Sequence, residues 1–379
     1  MSARPQPFHV VIAGGGVAAL ESMMALRALA GEEMHITLLA PDRDFHYRPM
    51  AVAEPFSIAE VRHIALVAIA HDFGARHVTA ALASVDSTAR RIVTGSGQEI
   101  GYDALVIATG TQLRAAFEGV ITIDDRSLGA TLRGLVQDVE EGYTTEIAFV
   151  APAQGLWPMS LYELALQTAH RANDMNATVD ISIVGPERAP LDLFGSSVSA
   201  ELSKLLGDAG ITFHGSSFAT VTRGQLVLQP SGSQLRSGRI VALPLLEGPK
   251  ITGVPSDPHG FIPVTDDGAV RGLDGVYAAG DATSFPIKHG GLAAQQADIV
   301  AAAIAARAGA AIDPQPQPTV LRGMLLTGKQ TLFLEAELID GKGVNSIVSD
   351  VCPWDPPTKI VARHLGPYLA QGDRHSRSA

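Results

Sequence analysis

The chain has 379 residues, 46% of them hydrophobic and 18% charged, with a net charge of −11 and a single cysteine, Cys352. That length suits two to three domains, and that composition excludes intrinsic disorder. The acidic balance argues against nucleic acid or an anionic membrane as the main partner. One cysteine rules out an intrachain disulfide framework, a CxxC redox motif and a Cys-rich metal site, and it suits the cytoplasm. The opening Met1 to Pro7 lacks the apolar h-region of a signal peptide, and no apolar run approaches the roughly 18 to 20 residues of a membrane-spanning helix.

In chain order, an apolar strand over Phe8–Ala13 enters Gly14-Gly15-Gly16 and then a helix over Val17–Leu29, with a second strand at His35–Leu39. Strand, glycine turn, helix, strand is the βαβ pattern of a parallel sheet. Further strands are predicted at Leu105–Ala108, Glu146–Ala151, Val179–Gly185 and Gly275–Ala279. Helices are predicted at Leu128–Glu141, Ser160–Ala172, Val198–Ala209 and Leu292–Ala308. This alternation gives an α/β fold with buried parallel strands. Beyond Ala311 the chain changes character: Pro314, Pro316 and Pro318 read as a linker into a small final unit.

Gly14, Gly16 and Ala19 fit G-x-G-x-x-[GA]. The first glycine permits the tight turn, the second lets a pyrophosphate approach the backbone, and the small Ala19 lets helix and strand pack closely. The amides of Val17, Ala18 and their neighbours at the helix start would face phosphate oxygens, where the helix dipole favours negative charge. The acid that usually ends the second strand is replaced by Ala40, so Asp42, two residues on, is the candidate for the ribose hydroxyls. The run from His35 to Arg43 also matches Asp180 to Arg188 in residue type at nearly every position. Two related nucleotide-binding modules in one chain account for that repeat.

Two later segments carry a resemblance. Ala108-Thr109-Gly110, after a strand, resembles the ATG motif of two-dinucleotide flavoproteins, and Gly280-Asp281 resembles their GD motif, whose Asp bonds the ribityl chain. In the order GxGxxA, ATG, GD, the chain resembles the FAD-dependent pyridine nucleotide-disulfide oxidoreductase-like superfamily, nearest the sulfide:quinone and type II NADH:quinone oxidoreductases. That resemblance implies FAD and a glutathione-reductase-like pair of Rossmann-like domains. It assigns Lys288, Gly291 and Leu292 to a helix start facing the flavin, where free amides would stabilise negative charge at its N1–O2 edge. It assigns Arg48 and Pro49 to a loop whose Pro lies against the isoalloxazine, and places Gln295 and Gln296 near the quinone end. No residue is named as an essential acid or base.

The second module departs from the pattern. Its strand runs into Pro152-Ala153-Gln154-Gly155-Leu156-Trp157-Pro158, with one glycine and two residues that lack an amide donor. The nicotinamide cradle reads as remodelled, so NAD(P)H would need an atypical loop to bind. The lone Cys352, beside Pro353 and Trp354, reads as structural, which disfavours the thiol-pair chemistry of sulfide oxidation. The segment 359–369, the counterpart of the relatives' membrane-contacting helices, reads better as a core-capping helix than as a weak peripheral membrane contact.

The expectation is an FAD-binding domain split between 1–113 and 253–310, an inserted NAD(P)-binding-like domain at 114–252 and a C-terminal unit at 311–379. The expected activity passes electrons from a small-molecule or protein donor through flavin to a quinone or protein acceptor. The alternatives are an NAD(P)H-dependent FAD reductase and a non-catalytic flavin-binding sensor.

Overall fold

A computed structural model of the protein describes residues 7–124, 127–153, 157–312 and 317–376, with side chains as far as Gln371. Gln154, Gly155, Leu156, Pro314 and Pro316 lie outside the described residues. The first part of the chain forms β1 (His9–Ala13), α1 (Val17–Ala30), β2 (His35–Ala40), β3 (Arg76–Thr79) and β4 (Ala104–Ile107). Then come α2 (Leu128–Glu140), β5 (Glu146–Val150), α3 (Met159–Asp174), β6 (Asp180–Val184), α4 (Ser196–Asp208), β7 (Ile211–His214) and β8 (Arg239–Ala242). The chain returns in β9 (Val276–Ala278) and α5 (Gly290–Arg307), and closes with β10 (Val320–Leu326), β11 (Thr331–Ile339), β12 (Lys342–Ser349) and α6 (Leu365–Ser376).

Two parallel five-stranded sheets result. The first has the order β9-β4-β1-β2-β3, so a strand from near residue 277 joins strands from the first hundred residues. The second runs Ile121–Thr122, β8, β5, β6, β7. Central strands of both sheets are buried on both faces and read as apolar runs, such as Val10-Val11-Ile12-Ala13 and Ala148-Phe149-Val150.

Helices α1 and α5 lie together over the first sheet. Their contact is lined by small residues, including Ala18, Ala19 and Ala25 on one side and Ala293, Ala297 and Ala301 on the other, all buried. Small side chains let the two backbones approach closely. Both helices are apolar on several sides because each is covered by the sheet, by its partner and by the C-terminal segment.

The final unit is an antiparallel sheet, β10-β11-β12. Its Leu321, Leu325, Leu332 and Leu334 share a core with Met159 of α3 and Phe194. After it the chain crosses back to the first half, where Leu365 and Leu369 of α6 are buried in the α1–α5 core. The segment read as a core cap is therefore one. Glu21 of α1, completely buried, receives the amides of His364 and Leu365 at 2.8 and 2.7 Å, satisfying orphan donors at the start of α6.

Candidate functional site

The carboxyl ends of β1, β4 and β9 converge on one cavity of about 870 Å3 that extends to the second module and the C-terminal unit. Parallel sheets place ligands at this edge, where backbone amides and helix starts are open. Gly14, Gly16, Val17, Ala18, Asp42, Arg48, Pro49, Ala108, Thr109, Gly110, Gly280, Asp281 and Lys288 all line it. Ala19 does not; it is fully buried beneath the turn, as its packing role requires.

Gly14 has φ +138°, and a β-carbon there would lie 2.1 Å from the Ala108 carbonyl oxygen. Gly280 has φ +74°, and its β-carbon would meet that of Ala18 at 2.9 Å. Gly14 thus approaches the Ala108 backbone and Gly280 the Ala18 β-carbon, and a side chain at either glycine would part the segments. A β-carbon on Gly16, at the N-cap of α1, would meet nothing within 4 Å, which leaves the helix start open to the cavity.

Among the described residues, no donor bonds the Asp281 carboxylate. Burial raises its pKa, against the opposing pull of the Lys288 and Arg48 cations. Lys288 donates to the Thr283 carbonyl and sits 3.9 Å from the centre of the Phe261 ring. Burial lowers its pKa to about 8, while Asp281 and Asp257 act to raise it.

The start of α5 differs in detail from the expectation. Gly291 and Leu292 are buried and do not line the cavity, whereas His289, Gly290 and Ala293 do. The amide of Leu292 is directed to His289 Nδ1 at 3.4 Å and that of Ala293 to the His289 carbonyl at 2.9 Å. His289 is the N-cap, so it takes donors the sequence reading left for the flavin. The two glutamines are scaffold. Gln295 bonds both backbone groups of Val320, and Gln296 accepts the amide of Gly280.

Several residues at the inner end were not singled out from sequence as binding residues. Lys359 Nζ lies 2.6 Å from Glu163 Oε1 and 2.9 Å from the Pro49 carbonyl oxygen, with both side chains buried. Glu163 also receives the amide of Leu326. One ion pair therefore ties the loop at Pro49, α3, the C-terminal sheet and the final segment together. Beside it stand Trp157, Met159, Met324 and Ile360. The Trp157 and His289 rings are 4.3 Å apart. The signal available in the sequence was an acid and a tryptophan beside a prolines-for-glycines loop; the lysine partner lies 196 positions away. Cys352 does not line the cavity, and its Sγ donates to the Trp354 carbonyl at 3.1 Å.

In the second module, Glu187 follows β6 where Asp42 follows β2. Asp42 is exposed at the cavity, but Glu187 accepts the Tyr162 hydroxyl at 2.8 Å. Burial raises the Glu187 pKa to about 7.

Residues 8–141 match the pyridine nucleotide-disulphide oxidoreductase family. The chain is an FAD-dependent oxidoreductase, similar to that family over this first third. It is 27% identical over 397 residues to the ferredoxin reductase component of chlorobenzene dioxygenase from Cupriavidus sp. (strain PS12), covering 92% of this chain and 90% of that one. A shorter match, 33% over 113 residues, is to the sulfide-quinone reductase of Aquifex aeolicus (strain VF5), covering 29% of this chain and 26% of that protein. The solved structure of the sulfide:quinone oxidoreductase from Aquifex aeolicus shares the fold at a TM-score of 0.81 and 19% identity, over 90% of this chain and 86% of that one.

The cavity fits FAD. A side-chain-free cradle at Gly14 and Gly280, an open helix start at Gly16 and a carboxylate without a donor at Asp281 are what a dinucleotide with pyrophosphate and polyol requires. No helix among the described residues is long and apolar enough to cross a membrane.

Proposed function

We propose that this FAD-dependent oxidoreductase takes electrons from a donor other than a nicotinamide nucleotide and passes them to a quinone-like or protein acceptor. Bound FAD supplies the redox chemistry, and the chain supplies binding, orientation and electrostatics. The α1 start, with Gly16, Val17 and Ala18, would hold the pyrophosphate; Asp42 the ribose; Asp281 a ribityl hydroxyl. Ala108, Thr109 and Gly110 would wall the middle of the cofactor, and Arg48, Pro49 and Lys288 its ring end.

The inward turn of Glu187 carries the statement about the donor. A nicotinamide dinucleotide site uses the acid after this strand to bond ribose hydroxyls. Here that carboxyl is held by Tyr162, and Arg188 beside it is 3.3 Å from Asp192. Trp157, packed on His289, further narrows the end of the cavity a nicotinamide would enter.

One observation favours the second reading, an NAD(P)H-dependent reductase: the second sheet keeps its parallel β5-α3-β6 unit intact. Anaerobic stopped-flow separates the two. With a panel of donors that includes NADH and NADPH, the flavin is expected to bleach slowly or not at all with either nucleotide. Rapid bleaching by one of them would overturn the first reading in favour of the second.

A further inference from the structure

His289 has no task in the reading above beyond capping α5, yet its surroundings specify its chemistry. Burial lowers its pKa to about 4. The ring is therefore neutral at physiological pH. Its Nδ1 is the acceptor for the Leu292 amide, so the proton belongs on Nε2. That Nε2 bonds no described residue, and the ring borders the cavity.

Trp157 packs on the ring, and the apolar Met159, Met324 and Ile360 line the same cavity. The charged pair nearby is closed on itself, because Lys359 is spent on Glu163 and the Pro49 carbonyl. A neutral N–H in an apolar wall suits an uncharged ring with an exocyclic oxygen. It suits an anion less well, since the other two cations that line the cavity, Lys288 and Arg48, already act on the Asp281 carboxylate, and Lys288 is also turned to Thr283 and Phe261.

We propose that His289 is the specificity-determining donor of this chamber, its Nε2–H bonding a carbonyl oxygen of a planar, uncharged, quinone-type ring that lies against Trp157. The proposal rests on the acceptor reading above and sharpens it: the small-molecule acceptor enters here and is selected by its carbonyl. Trp157 fixes the imidazole plane from one side while the α5 amide fixes its tautomer from the other.

The test is calorimetric titration of 2-methyl-1,4-naphthoquinone into the FAD-loaded protein, compared across two variants. His289→Ser keeps the N-cap, but its short side chain carries no donor out to the Nε2 position, whereas His289→Asn keeps a cap oxygen and a longer-reaching donor amide. Binding is expected to weaken about tenfold in the Ser variant, in line with loss of one desolvated hydrogen bond, and to stay within about threefold in the Asn variant. Equal affinity for wild type and the Ser variant would overturn the proposal, as would equal loss in both variants or no binding by wild type. If the Ser variant does not hold FAD, imidazole nitrogen shifts in the wild type decide: the naphthoquinone must move Nε2 while leaving Nδ1 in place, and an unmoved Nε2 refutes the assignment. Failure of the broader reading looks different: no quinone or protein acceptor would then reoxidise the reduced flavin, whatever residue 289 is.

Discussion

Asp42 and Glu187 follow the second strand of their respective modules, in the near-identical settings Ala-Pro-Asp-Arg and Gly-Pro-Glu-Arg, and do opposite things. One faces the cavity; the other is half-buried and held by Tyr162. Sequence similarity located both acids, but orientation depends on a tyrosine 25 positions away that only the fold brings near. Because burial raises Glu187 from 4.5 to about 7, the folded state holds its proton more tightly than the unfolded chain does. Its contribution to stability is thus fully present below about pH 4.5 and is lost as pH rises toward 7. Glu187→Gln, which keeps an acceptor for Tyr162 without the ionisation, is expected to be more stable than wild type at pH 8 and not at pH 4. Urea unfolding at the two pH values checks this. The buried Lys359–Glu163 pair behaves differently. Glu163→Ala strands an ammonium and is expected to cost about 3–5 kcal/mol, whereas Glu163→Leu with Lys359→Met recovers most of it. Denaturation midpoints of the single and double variants decide whether the pair acts as a unit.

At the scale of elements, the glycine turn was legible because steric demand leaves a mark in sequence: only residues without a β-carbon fit where β1, β4 and β9 meet. Gly14→Ala is expected to push the Ala108 carbonyl away, destabilise the protein by about 1–3 kcal/mol and yield protein purified largely without flavin, read as the ratio of visible to ultraviolet absorbance. The long helices were legible for a related reason, since apolar residues on them mark buried faces. Residue 290, where α5 begins, was not, because its cap is a histidine and not one of the usual cap residues. The antiparallel β10-β11-β12 sheet was also missed. Its strands alternate buried and half-buried positions, as in Val320–Leu326, and their inward face is defined only by α3 and α4. The start of α6 depends on Glu21, more than 340 positions away, and no local pattern could announce that.

The whole molecule places an open, glycine-lined cleft at the edge of one sheet and, after the matching strand of the other, an acid held by a tyrosine, with the cavity running on to the C-terminal unit. The single cysteine does not line that cavity. The architecture was readable from three short motifs in the right order, since each sits at the carboxyl end of a parallel strand. What the second module does was only half readable: the prolines pointed to an altered loop, whereas Trp157 over His289 and Lys359 across from Glu163 are products of tertiary contact. The proposed function requires that this second module no longer accept a nicotinamide dinucleotide. Calorimetric titration of NADH and NADPH into the FAD-loaded protein tests this at equilibrium. Neither nucleotide is expected to bind saturably up to millimolar concentration, and a micromolar Kd for either would overturn the proposal.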